Sequence, residues 1–222
     1  MGEIKSLKKH YKLVSVFDDI SEEMNPVQFN KELFKDALGE FFGRHSDDWG
    51  SRITLTNRRT VEEFVSHIKV LIEKHKDAYF LIKTKKRGKI LTDRYRQLFK
   101  DLSPRYLILE HSFPTYKLIG FSDLVISQSS SVAVESFCSG TKTIFYNHCN
   151  DKGKMFPLQK HMETFTKLIF CHNRRDLLNS TEKILNGEYL DKRTEEQLIE
   201  LLGFKFDGKG VVRLREAIRK LY

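Results

Sequence analysis

Apolar residues recur along this chain in two rhythms. Short runs of four to six, rich in Val, Ile and Phe, alternate with longer stretches in which apolar positions return every three or four residues. The first rhythm predicts strands and the second predicts amphipathic helices. The runs lie at Lys12 to Phe17, Ala78 to Ile82, Tyr106 to Leu109, Asp123 to Ser127, Thr143 to Tyr146 and Leu168 to Cys171. Between them, Asn25-Pro26 opens a helix whose stripe is Phe29, Leu33, Phe34, Ala37, Leu38, Phe41 and Phe42, and Gly43 stops it. Arg44 to Arg59 reads as polar and irregular. Thr60 with Glu63 reads as a capping box for a helix carrying Phe64, Val65, Ile68, Leu71 and Ile72. Further helices are predicted at Ile90 to Leu102, Tyr116 to Gly120 and Ser131 to Gly140, then from the Asn173 cap to Gly187, from Thr194 to Gly203, and over Gly210 to Leu221.

Strands alternating with helices over the whole length predict a doubly wound, mainly parallel Rossmann-like α/β sheet. The 222 residues fit a single domain, with an N-terminal extension and helix at 1–58, a core at 59–190 and C-terminal helices at 191–222. In such sheets ligands bind outside the carboxyl ends of the strands. That rule gathers Asp18-Asp19, Lys83 to Lys86, Glu110-His111, Gln128 to Ser131 and Asn147-His148 onto one edge.

The formal net charge of +9 adds an anionic partner to this picture: a nucleotide diphosphate, an acidic polysaccharide, nucleic acid or anionic lipid. The densest basic run, Lys83-Thr84-Lys85-Lys86-Arg87, directly follows the second strand. The 3 cysteines form neither a CxxC nor a metal-ligand spacing, so no metal is expected and a reducing, cytoplasmic compartment is. No apolar run reaches the length of a membrane span. Met1 to Ser6 fits the N-myristoylation pattern with lysines behind it, which together with the basic charge suggests peripheral association with the inner face of an anionic membrane.

The most informative segment is Phe121 to Asn147, read as strand, serine-rich turn, helix, glycine and strand. Gln128, Ser129, Ser130 and Ser131 form a turn at a helix N-terminus, where unpaired N–H groups and the helix dipole favour an anion. Serines also cap helices for purely structural reasons. A capping box, however, needs its acid three residues after the cap, and Glu135 stands four after Ser131. That spacing puts both on one helix face, where a carboxylate can accept ribose hydroxyls.

This segment resembles the donor-binding half of GT-B glycosyltransferases, in particular bacterial surface and capsular polysaccharide enzymes. The resemblance is carried by Ser122-Asp123-Leu124-Val125-Ile126-Ser127, then Ser130-Ser131, Glu135 and Gly140, and by Phe206-Asp207-Gly208 with Arg213. It runs from about Tyr11 to Tyr222. It implies a single GT-B half-domain that binds a nucleotide-sugar as substrate, with no other cofactor and no metal. Ser129 to Ser131 and Gln128 would hold the phosphates, Glu135 the ribose, and Lys83, Lys85 and Lys86 the charge of the diphosphate. From its place after the third strand, His111 would contact base or sugar, or act as an acid. The acceptor would come from a partner domain or subunit. Two positions depart from the family pattern. Thr141 stands where a proline usually follows the glycine, and Lys83 to Lys86 replace a K-x-HP loop.

No GxGxxG, P-loop, HExxH or G-x-S-x-G is present, which removes dinucleotide, kinase, zinc-protease and serine-hydrolase readings. Three functions remain: the donor half of a glycosyltransferase, a nucleotide-sugar-binding module without turnover, and a basic nucleic-acid-binding domain. The last ranks lowest, because no aromatic-interleaved basic motif accompanies the charge.

Overall fold

The computed structural model describes residues 2–17, 49–83, 95–102, 104–110, 112–127, 131–146 and 166–202. Six strands form one sheet in which every pairing is parallel. They are β1 (Lys12–Phe17), β2 (Ala78–Lys83), β3 (Tyr106–Leu109), β4 (Leu124–Ser127), β5 (Thr143–Tyr146) and β6 (Phe170–Cys171). The spatial order is β3-β2-β1-β4-β5-β6. The chain thus builds outward from β1 in one direction and then, through β4, in the other. The winding reverses between β1 and β4, which is where this architecture opens its ligand crevice. The doubly wound α/β fold expected from the sequence is the fold observed.

Burial follows the pleat. Val14 and Val16 of β1, Phe80 and Ile82 of β2, and Leu124 and Ile126 of β4 face one side, under α2 (Trp49–Lys74) and residues 95–99. Leu13, Phe17, Leu81, Leu109 and Val125 face the other, under α1 (Gly2–Leu7) and α3 (Thr115–Phe121). α4 (Ser131–Cys138) follows β4, and its Val132 packs into that second cluster. α5 (Arg174–Leu185) lies on the α2 side, where Lys74 meets Glu182 at 2.6 Å, and α6 (Lys192–Leu202) packs on α4.

Local chemistry sets the element ends. Asn173 caps α5 through its Oδ1, which accepts the Asp176 N–H at 3.0 Å. Gly140 and Gly187 end α4 and α5 at φ of 82° and 102°, a backbone region costly for any residue with a Cβ.

Three readings change. Thr60 is not a cap, because α2 begins at Trp49 and makes it an interior residue. From Ser51 to Arg59 the chain is polar but holds no Pro or Gly, so nothing stops a helix nucleated by the buried stripe from extending upstream. Thr194 does not open α6; Asp191 does, accepting the Thr194 N–H at 2.9 Å and the Thr194 hydroxyl at 3.0 Å. α1 had no counterpart in the periodicity, since its one fully buried side chain is Ile4. The predicted helices at 25–43 and 210–221 lie outside the described residues.

Candidate functional site at the carboxyl edge

One register row crosses the whole sheet at its carboxyl edge. Leu109 of β3 pairs with Lys83 of β2, Lys83 with Phe17 of β1, Phe17 with Ser127 of β4, Ser127 with Phe145 of β5, and Phe145 with Phe170 of β6. Parallel partners in register point to the same face. Phe17 and Leu109 are buried on the α1–α3 side, while Phe145 and Phe170 at the far end of the row pack with Phe137 of α4 in the larger cluster. The row is apolar except at Lys83 and Ser127, which flank β1 across the point of reversal. Two strand spacings put their Cα atoms about 10 Å apart. A lysine stem is long enough to reach over Phe17 toward the entrance of α4.

Lys83 is half-buried, and desolvation between its apolar neighbours lowers its pKa below the ordinary 10.5. Among the described residues no carboxylate or hydrogen-bond acceptor pairs with its ammonium. Ser127 is fully buried at the end of β4. Only a three-residue segment separates it from Ser131, the first residue of α4. Glu135 lies in the second turn of α4, exposed, and its carboxylate contacts no partner among the described residues. On the same edge, α3 opens at Thr115; Tyr116, its second residue, is 70 % exposed, and Phe113 and Val132 both pack against the α1–α3 cluster.

Of the residues singled out from sequence, the structure brings Lys83 and the start of α4 to one face of one edge, with Glu135 one turn further along that helix. Gln128, Ser129, Ser130, Lys85, Lys86 and His111 lie outside the described residues, as do Asp18, Asp19, Asn147 and His148. Sequence reasoning passed over Ser127 and Tyr116. Ser127 was available as the last residue of the strand motif, but its alignment with Lys83 depends on a register that the sequence does not display. Among the described residues no group of three His, Cys, Asp or Glu is gathered as a metal site, and no helix is long and apolar enough to cross a membrane.

The opposite edge differs. Lys12 Nζ meets Asp77 at 2.8 Å and donates to the Leu185 carbonyl at 2.9 Å. Asp123 accepts the Leu13 N–H at 2.8 Å and pairs with Lys8 at 3.5 Å. The Tyr189 hydroxyl accepts the Thr143 N–H at 3.0 Å while Lys142 sits over its ring. Burial pushes the Tyr189 hydroxyl's pKa well up, consistent with a neutral, structural group.

By sequence the chain matches no protein family and no curated protein. Among solved structures it is similar to a Listeria monocytogenes protein assigned as a UDP-N-acetylglucosamine 2-epimerase, of GT-B-like fold, with a TM-score of 0.57 at 11% identity. The likeness takes in 99% of this chain and 47% of that one, so the chain spans about half the length of its structural match.

Proposed function

We propose that this chain binds a nucleotide-activated sugar at the carboxyl edge of β2, β1 and β4, as the donor-binding half of a metal-independent glycosyltransferase for surface-polysaccharide or glycan synthesis. The observation that carries the reading is the register row: its two polar members, Lys83 and Ser127, flank β1 on the face where α4 starts. Ser129, Ser130 and Ser131, with Gln128, would hold the phosphates through hydroxyls and the N–H groups of the first turn of α4. Lys83, joined by Lys85 and Lys86, would neutralise the diphosphate as the sugar–phosphate bond breaks. Glu135 would accept ribose hydroxyls. Tyr116 offers a ring for stacking on the base, with His111 as a further contact. The likeness to a protein assigned as a sugar-nucleotide enzyme supports the ligand class. Peripheral membrane association, a proposal on charge and the N-terminal pattern alone, would bring the site to a lipid-linked acceptor.

A second reading, a nucleotide-sugar-binding module without turnover, is favoured by one observation: Lys83-Thr84-Lys85-Lys86 stands where the family pattern has a K-x-HP loop. A thermal-shift screen against UDP-, CMP-, GDP- and CDP-linked sugars tests the shared premise. A true ligand at 100 times its Kd adds about 2.7 kcal/mol of stability, several degrees in Tm. No shift with any donor would remove both readings. Donor hydrolysis in the presence of an acceptor-binding partner then separates transferase from module.

A further inference from the structure

On the α2 face, one buried polar contact ties a helix to the end of a distant strand. His67 of α2 and Tyr146, the last residue of β5, are both buried, and His67 Nδ1 is hydrogen-bonded to the Tyr146 hydroxyl across 79 positions of sequence. Phe64, one turn earlier on α2, stacks on the Tyr146 ring at 6.1 Å between centroids. Ile68 and Leu71 from α2 and Ile126 and Ile144 from the sheet belong to the same buried cluster as Tyr146. The contact is directional where packing is not. It fixes where the carboxyl end of β5 sits relative to α2. β5 pairs with β4 through Ser127–Phe145, one position before Tyr146, so the contact adjoins the row that carries the proposed site.

We propose that His67 and Tyr146 are positioning residues: their hydrogen bond holds the carboxyl ends of β5 and β4 in the arrangement the ligand requires, without touching ligand. This rests on the proposed nucleotide-sugar site. The test compares wild type with Tyr146→Phe, His67→Leu and His67→Gln, whose amide can still donate to or accept from a hydroxyl. Two readouts are taken: Kd for UDP by calorimetry, and hydrogen exchange at the Phe145, Tyr146 and Cys171 amides against those of β2. Tyr146→Phe and His67→Leu should each weaken UDP by about fivefold or more, the scale of one hydrogen bond, and speed exchange at the β5–β6 amides while β2 stays protected. His67→Gln should recover both readouts to within about twofold of wild type. A folded Tyr146→Phe with unchanged Kd and exchange overturns the proposal, as does a His67→Gln as impaired as His67→Leu. If wild type binds no nucleotide diphosphate, the site reading has failed. The exchange arm then decides by itself whether the bond positions the strand end.

Discussion

The two edges of this sheet use charge in opposite ways. At the amino edge, charged groups are matched with one another or with backbone: Lys12 with Asp77, Lys8 with Asp123, Lys74 with Glu182, and Asp123 also with the Leu13 N–H. At the carboxyl edge, Lys83 and Glu135 are matched with nothing among the described residues, although Lys83 is half-buried. A half-buried, unpaired ammonium costs stability. Among the described residues the amino edge pairs its charges and the carboxyl edge leaves Lys83 and Glu135 open, the contrast expected if the first edge serves structure and the second the proposed site.

The largest separation between the edges should come from Asp123→Ala. Its carboxylate accepts a backbone N–H that β1 otherwise leaves without a partner. Its loss should lower unfolding free energy in urea by about 1.5–3 kcal/mol and leave Kd for UDP within about twofold. An Asp123→Ala protein of wild-type stability breaks the assignment of that edge to structure. Glu135→Ala should behave inversely. It should weaken the best nucleotide about tenfold, close to 1.4 kcal/mol, with no loss of stability. Collapse of the fold would instead make the glutamate structural.

A finer distinction lies in pH. His75 is buried at the amino edge, and burial, reinforced by the Lys74 charge, holds its pKa below the ordinary 6.5, against the opposing pull of Asp77 and Glu182. The unfolded chain takes the proton at 6.5 and the folded one resists it. Stability contributed here is therefore complete above 6.5 and declines as pH falls below it, until the folded group also protonates. Asp77 and Glu182 have lowered pKa values and act in a separate, more acidic window, below their ordinary 3.8 and 4.5. Urea titrations at pH 7.5 and 5.5 should show His75→Gln losing less stability on acidification than wild type. Equal losses would assign the dependence to other groups.

Much of the fold was legible. β1, β3 and β5 begin and end at the residues predicted for them, since largely buried strands leave short runs dominated by apolar residues. β6 was harder: it shrinks to Phe170–Cys171, pairing only on the β5 side, so Leu168 and Ile169 read as strand without belonging to it. The start of α2 was misplaced because Thr60 and Glu63 mimic a cap within a longer helix. For the site, the rule that ligands gather at strand ends put Lys83 and the entrance of α4 on one edge, and the sheet topology puts the ends of β2 and β4 there, either side of β1. That rule was silent on Ser127 and on the His67–Tyr146 contact. Both depend on strand order and register, which join residues 44 to 79 positions apart and have no local signature in the chain.

The central claim is that the lysine ending β2 and the serine turn before α4 address the same phosphates. A double-mutant cycle of Lys83→Ala and Ser130→Ala, read as UDP affinity by calorimetry and repeated with uridine, tests it directly. Residues sharing one diphosphate should be coupled by about 0.5 kcal/mol or more on UDP, with no coupling on uridine. Additive effects on UDP, or equal effects on uridine, would contradict the account and leave Lys83 a solvated lysine beside a site confined to residues 128–135.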